Sequence, residues 1–129
     1  MTLVEFLRAQ LDEDERTARR AGDSFRQIGE TGVIVATEGD RAEECTSASW
    51  AGVAEHIVRH DPARVLAEVD AKRETVRLYE EAVGFVEMAK SHGHEATHYE
   101  VAAESYLNVI RCDAAVYADH ADYREEWRP

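Results

Sequence analysis

The segment His94-Glu95-Ala96-Thr97-His98 carries the sharpest chemical motif in the chain. It fits the pattern H-E-x-x-H, in which two histidines one helical turn apart bind zinc while the glutamate activates a metal-bound water. A zinc-dependent hydrolase would use His94 and His98 as metal ligands and Glu95 as the catalytic base. We expect no cofactor unless this string binds zinc, because the chain has no glycine-rich phosphate loop.

A zinc enzyme also needs a third ligand, and the sequence does not identify one. A metzincin-like continuation would require glycine and histidine at the positions of Val101 and Glu104. Other carboxylates and His120 follow, but nothing in the spacing selects among them. The sequence therefore favours a polar helix start with exposed histidines over a hydrolase.

His56 and His60 form a second pair with a spacing of four residues. They would supply two metal ligands if a carboxylate such as Asp61 completed the site. The alternative is that His60 is stabilised at the negative end of one helix while Asp61 caps the next helix. We favour the helix-end interpretation, since it requires no metal.

Four large rings, those of Tyr117, His120, Tyr123 and Trp127, are spaced through an acidic C-terminal segment. Amphipathic rings of this kind suit a partner-binding surface. Docking of the segment onto its own chain is the commoner outcome, because an exposed aromatic tail promotes aggregation. Docking onto another chain would tie two protomers together.

The charge balance restricts the class of partner. The 129 residues include 27 acidic and 15 basic side chains, a formal net charge of -12. This charge repels phosphate backbones and anionic lipid headgroups, so we expect no direct nucleic-acid or membrane binding. It fits a protein partner with a basic surface, and it also fits an acidic mimic of DNA or a merely solubilising exterior.

The cysteines and the N-terminal residues indicate a cytoplasmic protein. Cys45 and Cys112 stand far apart and outside any C-x-x-C pair, so we expect reduced thiols, with Cys112 buried on a core-facing position. Glu5 and Arg8 interrupt the apolar residues near the start, and no stretch has the length of a signal peptide or a membrane span.

The sequence predicts a mainly α protein of the α+β class, with residues 1–129 in a single domain. Thr2 and Glu5 form a capping box that begins the first helix, and Gly22 ends it. A β-hairpin is expected within residues 25–37, followed by a loop over residues 38–46. Three further helices are expected over residues 49–59, 62–90 and 95–117, giving an antiparallel bundle of about four helices.

The helix predicted over residues 62–90 carries a valine-rich stripe with steps of three, four or seven residues. This period is close to the heptad of antiparallel bundles and coiled-coil dimers. A homodimer through this helix is therefore one expectation.

Three strings resemble an uncharacterised family of small actinobacterial and actinophage proteins, domain of unknown function 6221. They are residues 6–15, residues 54–66, and the C-terminal string Y-A-D-H-A-D-Y-R-E-E-W at residues 117–127. The resemblance implies an actinobacterial or phage cytoplasm but brings no activity, ligand or catalytic residue. Some members have cysteine and histidine pairs between the long helix and the tail, whereas residues 91–98 here contain histidines and no cysteine, so no zinc-ribbon role is implied.

Three functional hypotheses follow. The chain is most consistent with a small acidic protein-interaction or regulatory module. The alternatives are a zinc-dependent hydrolase built on residues 94–98 and an acidic DNA mimic. No other enzyme class gains support, because no nucleophile has an evident general base nearby in the sequence.

Overall fold

The computed structural model describes all residues, 1–129, and combines four α-helices with one three-stranded antiparallel sheet. The predicted α+β class is confirmed, whereas the four-helix bundle stays a prediction. The elements, in chain order, are α1 (Leu3–Arg20), β1 (Ser24–Gln27), β2 (Val33–Glu38), β3 (Arg41–Ser47), α2 (Ala51–Arg59), α3 (Pro62–Ser91), α4 (Thr97–Ala115) and a 3-10 turn (Glu125–Trp127).

The chain divides into two compact units, which are described separately. The sheet unit consists of Asp12–Val69, and the terminal unit consists of Met1–Leu11 together with Asp70–Pro129. The boundaries fall within α1 and α3. None of the helices is long and apolar enough to span a bilayer.

The sheet unit contains three strands in the order β1-β2-β3, so the prediction of a single hairpin was wrong by one strand. Residues 41–47 form β3 where a loop was expected. Every β3 residue is exposed, and the strand therefore lacks the apolar alternation by which strands are recognised in a sequence. Hydrogen bonds to the central strand β2, which buries Ile34 completely, hold β3 in place.

Asp61 joins the start of α3 to the sheet. Its Oδ1 accepts a hydrogen bond from the Arg64 N–H at 3.0 Å, which caps the helix as predicted. Its Oδ2 accepts the Phe25 N–H of β1 at 3.2 Å. One carboxylate thus satisfies a helix terminus and a strand edge together.

In the terminal unit, α1 begins at the predicted capping box. The Thr2 N–H donates to the Glu5 carboxylate at 2.7 Å, and the Glu5 N–H donates to the Thr2 hydroxyl at 3.1 Å. The backbone hydrogen bond from Thr2 lowers the pKa of Glu5. An apolar stripe at helical spacing follows and is buried: Leu3, Phe6, Leu7 and Leu11.

Helix α3 is 30 residues long, or about 45 Å, and α4 returns beside its C-terminal part. Lys90 pairs with Glu100 at 2.6 Å. Helix α4 buries Ile110 and Ala114.

Cys112 is exposed, so its predicted burial was wrong. It lies two residues after Ile110, about 200° around the helix, and therefore faces away from the packed side.

Replacement of Gly32 by alanine should weaken the sheet unit. The Ala48 N–H donates to the Gly32 carbonyl at 2.8 Å, and a Cβ on Gly32 would overlap the Ala48 carbonyl oxygen. We expect Gly32→Ala to lower the free energy of unfolding by about 2 kcal/mol, measured by urea denaturation. Gly84→Ala is the matched control: it lies within α3 with nothing within 4 Å, and should raise stability by about 0.5–1 kcal/mol. Equal effects at the two sites would contradict this assignment.

Candidate functional site

The H-E-x-x-H string spans the junction between α3 and α4. Gly93 has a φ of 69° and donates its N–H to the Lys90 carbonyl at 3.1 Å, while the His94 N–H donates to the Ala89 carbonyl at 2.8 Å. This pair of bonds is a Schellman motif, which ends α3. His94 therefore belongs to the end of one helix and His98 to the first turn of the next.

The Glu95 carboxylate faces Thr97. Its Oε1 accepts the Thr97 N–H at 2.9 Å and also the Thr97 hydroxyl. The side-chain hydrogen bond from Thr97, followed by the backbone one, lowers the pKa of Glu95. The residue predicted as a catalytic base thus satisfies an unpaired donor at the start of α4.

The structure does not bring a third ligand to either histidine pair. No group of three or more His, Cys, Asp or Glu side chains is placed to hold a metal ion. The His94 ring stacks 6.3 Å from that of His92, and the His98 ring meets Tyr99 edge-on at 5.7 Å. Zinc binding by residues 94 and 98 stays a prediction.

His56 and His60 lie together at the end of α2, with ring centroids 4.4 Å apart. The His60 Nδ1 lies 2.9 Å from the His56 carbonyl oxygen, a distance at which an Nδ1–H donates to it. Asp61, the suggested third ligand, already accepts hydrogen bonds at both oxygens. The contacts at this pair are those of a helix end.

The four rings of the C-terminal segment pack around Phe6, which is completely buried. Centroid distances from Phe6 are 5.2 Å to Trp127, 5.6 Å to His120, 5.8 Å to Tyr123 and 6.5 Å to Tyr117. Most of these pairs are edge-to-face, the arrangement that aromatic quadrupoles favour. The segment therefore docks on its own chain, and partner binding by the same residues stays a prediction.

Two polar groups in the terminal unit are poorly solvated. The Tyr123 hydroxyl is buried without a hydrogen-bond partner. Burial also raises the pKa of Asp113, an effect that the positive charge of Lys72 partly opposes. Lys72 itself lies 5.9 Å from the centre of the Tyr117 ring.

A groove at the α3–α4 corner was not anticipated from the sequence. It encloses about 350 Å³ and is lined by Phe85, Met88, Ala89, His92, His94, Glu95 and Tyr99; we call it the corner groove. Three large apolar side chains are exposed there: Met88 by 53%, and Phe85 and Tyr99 by 37% each. The Tyr99 ring stacks on that of Phe85, with ring centroids 5.3 Å apart.

The only sequence signal for the corner groove was the pair Phe85 and Met88, three residues apart and off the valine stripe of α3. Its other wall comes from α4 and depends on how the chain turns after Gly93. The groove is thus a product of tertiary structure.

Comparison with known proteins identifies a family but no activity. The model of a family of unknown function, DUF6221, matches residues 1–129, as the resemblance at the sequence level predicted. No curated protein matches the chain, and no solved structure matches it either.

Removing the Tyr123 hydroxyl should leave the terminal unit at least as stable as before. The hydroxyl has no partner, so Tyr123→Phe is expected to change the free energy of unfolding by about 0 to +1 kcal/mol. Trp127→Ala, which removes a ring that is 7% exposed, should cost about 3 kcal/mol. Urea denaturation of both variants measures these two changes in the free energy of unfolding. A clear loss of stability in Tyr123→Phe would indicate a hydrogen bond that the structure does not contain.

The Glu95 cap should make stability depend on pH. The pKa of Glu95 is lowered in the folded state. The ionised carboxylate therefore stabilises the protein at pH values above the ordinary pKa of a glutamate. This stabilisation is lost as the pH falls through the lowered pKa of the folded state. The Tm of Glu95→Gln should therefore lie below that of the native protein at neutral pH and converge with it in acid. In a Thr97→Val background, the Tm difference at neutral pH that Glu95→Gln causes should be smaller, because the Thr97 hydroxyl no longer donates to the carboxylate. A Tm difference that is constant with pH would contradict the cap.

Proposed function

Because the chain belongs to DUF6221, a family of unknown function, we propose from its surfaces that it is a protein-interaction module. Its corner groove binds an apolar side chain presented by a basic protein segment. The observation that carries this proposal is the exposure of Phe85, Met88 and Tyr99 around one concavity.

The shape and composition of the corner groove support binding of a side chain. Large apolar residues that gather at one exposed site favour an interaction surface, whereas scattered ones do not. The stacked rings of Phe85 and Tyr99 form a firm wall, and the flexible Met88 thioether adapts to different occupants. The volume is at the lower end of the range for ligand pockets, which suits one large side chain.

The negative charge of the terminal unit favours a partner with a basic surface. The terminal unit contains 14 acidic and 8 basic side chains, so its field is negative. Glu95 lines the groove, and its lowered pKa keeps it ionised at neutral pH. Lysine or arginine beside the apolar anchor would be attracted during encounter, while nucleic acid would be repelled.

Ion pairing weighs against DNA mimicry. A mimic of the phosphate backbone presents successive uncompensated carboxylates. Here Arg77 pairs with Glu74 at 2.7 Å and with Glu81 at 2.6 Å, and similar helical pairs occur in α1. The acidic side chains of the helices are thus interleaved with arginines.

Methyl NMR provides a direct test, because the chain has only two methionines, Met1 and Met88. With ¹³C-methyl methionine, a peptide that has one central tryptophan flanked by lysines should shift the Met88 signal and leave Met1 unchanged. We expect weak binding, with Kd of about 10–100 µM, because one anchor in an open groove buries little surface.

Two controls make the test specific. The same peptide with glutamates in place of lysines should not bind, and Met88→Glu should weaken binding of the basic peptide about tenfold or more in fluorescence anisotropy. Val109→Glu, on another face, should have no effect. Shifts at Met1 alone, or equal binding of both peptides, would overturn the proposal.

A further inference from the structure

Strand β3 is a free edge of the three-stranded sheet. It pairs with β2 on one side only, and every one of its residues is exposed. The opposite edge is covered, because α2 packs against β1 and the Asp61 carboxylate accepts the Phe25 N–H at 3.2 Å. An uncovered strand edge presents a row of backbone donors and acceptors with which another extended chain can pair.

The direction of the β3 backbone groups follows from the hydrogen bonds of β2. The Thr37 carbonyl accepts the Asp23 N–H at 2.7 Å, so the backbone groups of Thr37 point toward the β1 side of the sheet. Ala42 of β3 lies opposite Thr37 in the antiparallel register, and a pair that is not hydrogen-bonded directs its backbone groups away from each other. The N–H and C=O of Ala42 therefore face outward from the sheet. Those of Glu44, two residues further along the strand, face the same way.

Strand β3 lacks several of the features that keep edge strands from pairing. Short length, proline and lysine are such features, and β3 has seven residues, the most of the three strands, with neither proline nor lysine. Its register shifts between Ile34 and Val35 of β2, which leaves Cys45 of β3 as the extra residue of a bulge. Residues 41–44, before the bulge, pair with β2 in a regular register and leave a regular outer edge.

We propose that the outer edge of β3 binds an extended, basic segment of a partner protein as a fourth strand of the sheet. The backbone of this added strand would satisfy the outward N–H and C=O groups of Ala42 and Glu44. Strand addition of this kind draws its affinity from main-chain hydrogen bonds and its specificity from pockets that receive alternate side chains.

A cavity of about 330 Å³ beside this edge provides such a pocket. Part of its wall comes from β3, at Arg41, Glu43, Glu44 and Cys45, and the rest comes from β2 and from residues 20–22 at the end of α1. The Arg41 guanidinium is engaged by the Glu43 carboxylate, through contacts of 3.0 Å and 3.2 Å. The Glu44 carboxylate has no such ion pair. A lysine or arginine among the alternate side chains of the added strand would therefore pair with Glu44.

The charge of the β2–β3 hairpin favours a basic strand. Residues 33–47 contain four acidic side chains and one basic side chain. A segment rich in lysine or arginine is attracted to this hairpin. The β3 edge of a second copy would bring the same excess of carboxylates, and like charges opposite each other destabilise a strand pair. The hairpin therefore favours a basic partner segment over a second copy of this chain.

Fluorescence anisotropy with a labelled peptide that alternates lysine and valine over the length of β3 tests the proposal. Ala42→Pro removes an outward N–H and no hydrogen bond to β2, so it should weaken peptide binding about tenfold or more. Ala42→Val is the matched control, which keeps the N–H and should still bind the peptide. Both variants keep the native net charge, so a non-specific attraction to an acidic protein would affect them equally. Equal binding by the two variants would overturn the proposal.

Amide hydrogen exchange in the native protein provides a second measurement that does not depend on how well the proline variant folds. The lysine–valine peptide should slow exchange at the Ala42 and Glu44 amides, whereas a peptide that alternates glutamate and valine should not. Unchanged exchange at both amides would overturn the proposal. Protection that rises with protein concentration in the absence of peptide would also overturn it, because a second copy would then cover the edge.

This inference does not rest on the proposed function, because β3 belongs to the sheet unit and the corner groove to the terminal unit. Met88→Glu should bind the lysine–valine peptide as the native protein does. Ala42→Pro should keep the shift of the Met88 methyl signal that the tryptophan peptide causes. If Met88→Glu instead lost the lysine–valine peptide, that peptide would belong to the corner groove and the strand-edge proposal would be wrong.

Discussion

The packing of the Phe6 ring is the contact on which the terminal unit depends. It joins the start of α1 to residues 117–127 through four rings whose centroids lie within 6.5 Å. Without the Phe6 ring, Trp127 and Tyr123 would be exposed. The apolar stripe of α1 would also lose its contact with the C-terminal segment. The helices that border the corner groove belong to the same unit.

Local chemistry made the helix ends predictable from the sequence. The capping box at Thr2 and the Asp61-Pro62 start depend on residues within four positions of each other, and both form as expected. Strand β3 was missed because it is an exposed edge strand that is held mainly by backbone pairing with β2. Cys112 was misplaced because a cysteine was assumed to be apolar and buried, although its angular position excluded it from the inner face.

The candidate site shows a different limit of sequence reasoning. The H-E-x-x-H pattern does not state whether its two histidines share a helix. The sequence predicts an end to α3 near residue 90, but the position of His94 follows only from the Schellman hydrogen bonds of Gly93 and His94. The corner groove depends on Phe85 and Tyr99 meeting across two helices, and no local pattern encodes that meeting.

The terminal unit is assembled from two stretches that are far apart in the chain, Met1–Leu11 and Asp70–Pro129. During synthesis the apolar stripe that includes Phe6 and Leu7 leaves the ribosome long before Trp127 exists to cover it. Residues 12–69 form a separate compact unit and are complete well before then. Translation therefore passes through a stage in which the apolar face of α1 is exposed. That face is a target for chaperones and for premature association until residues 117–127 emerge.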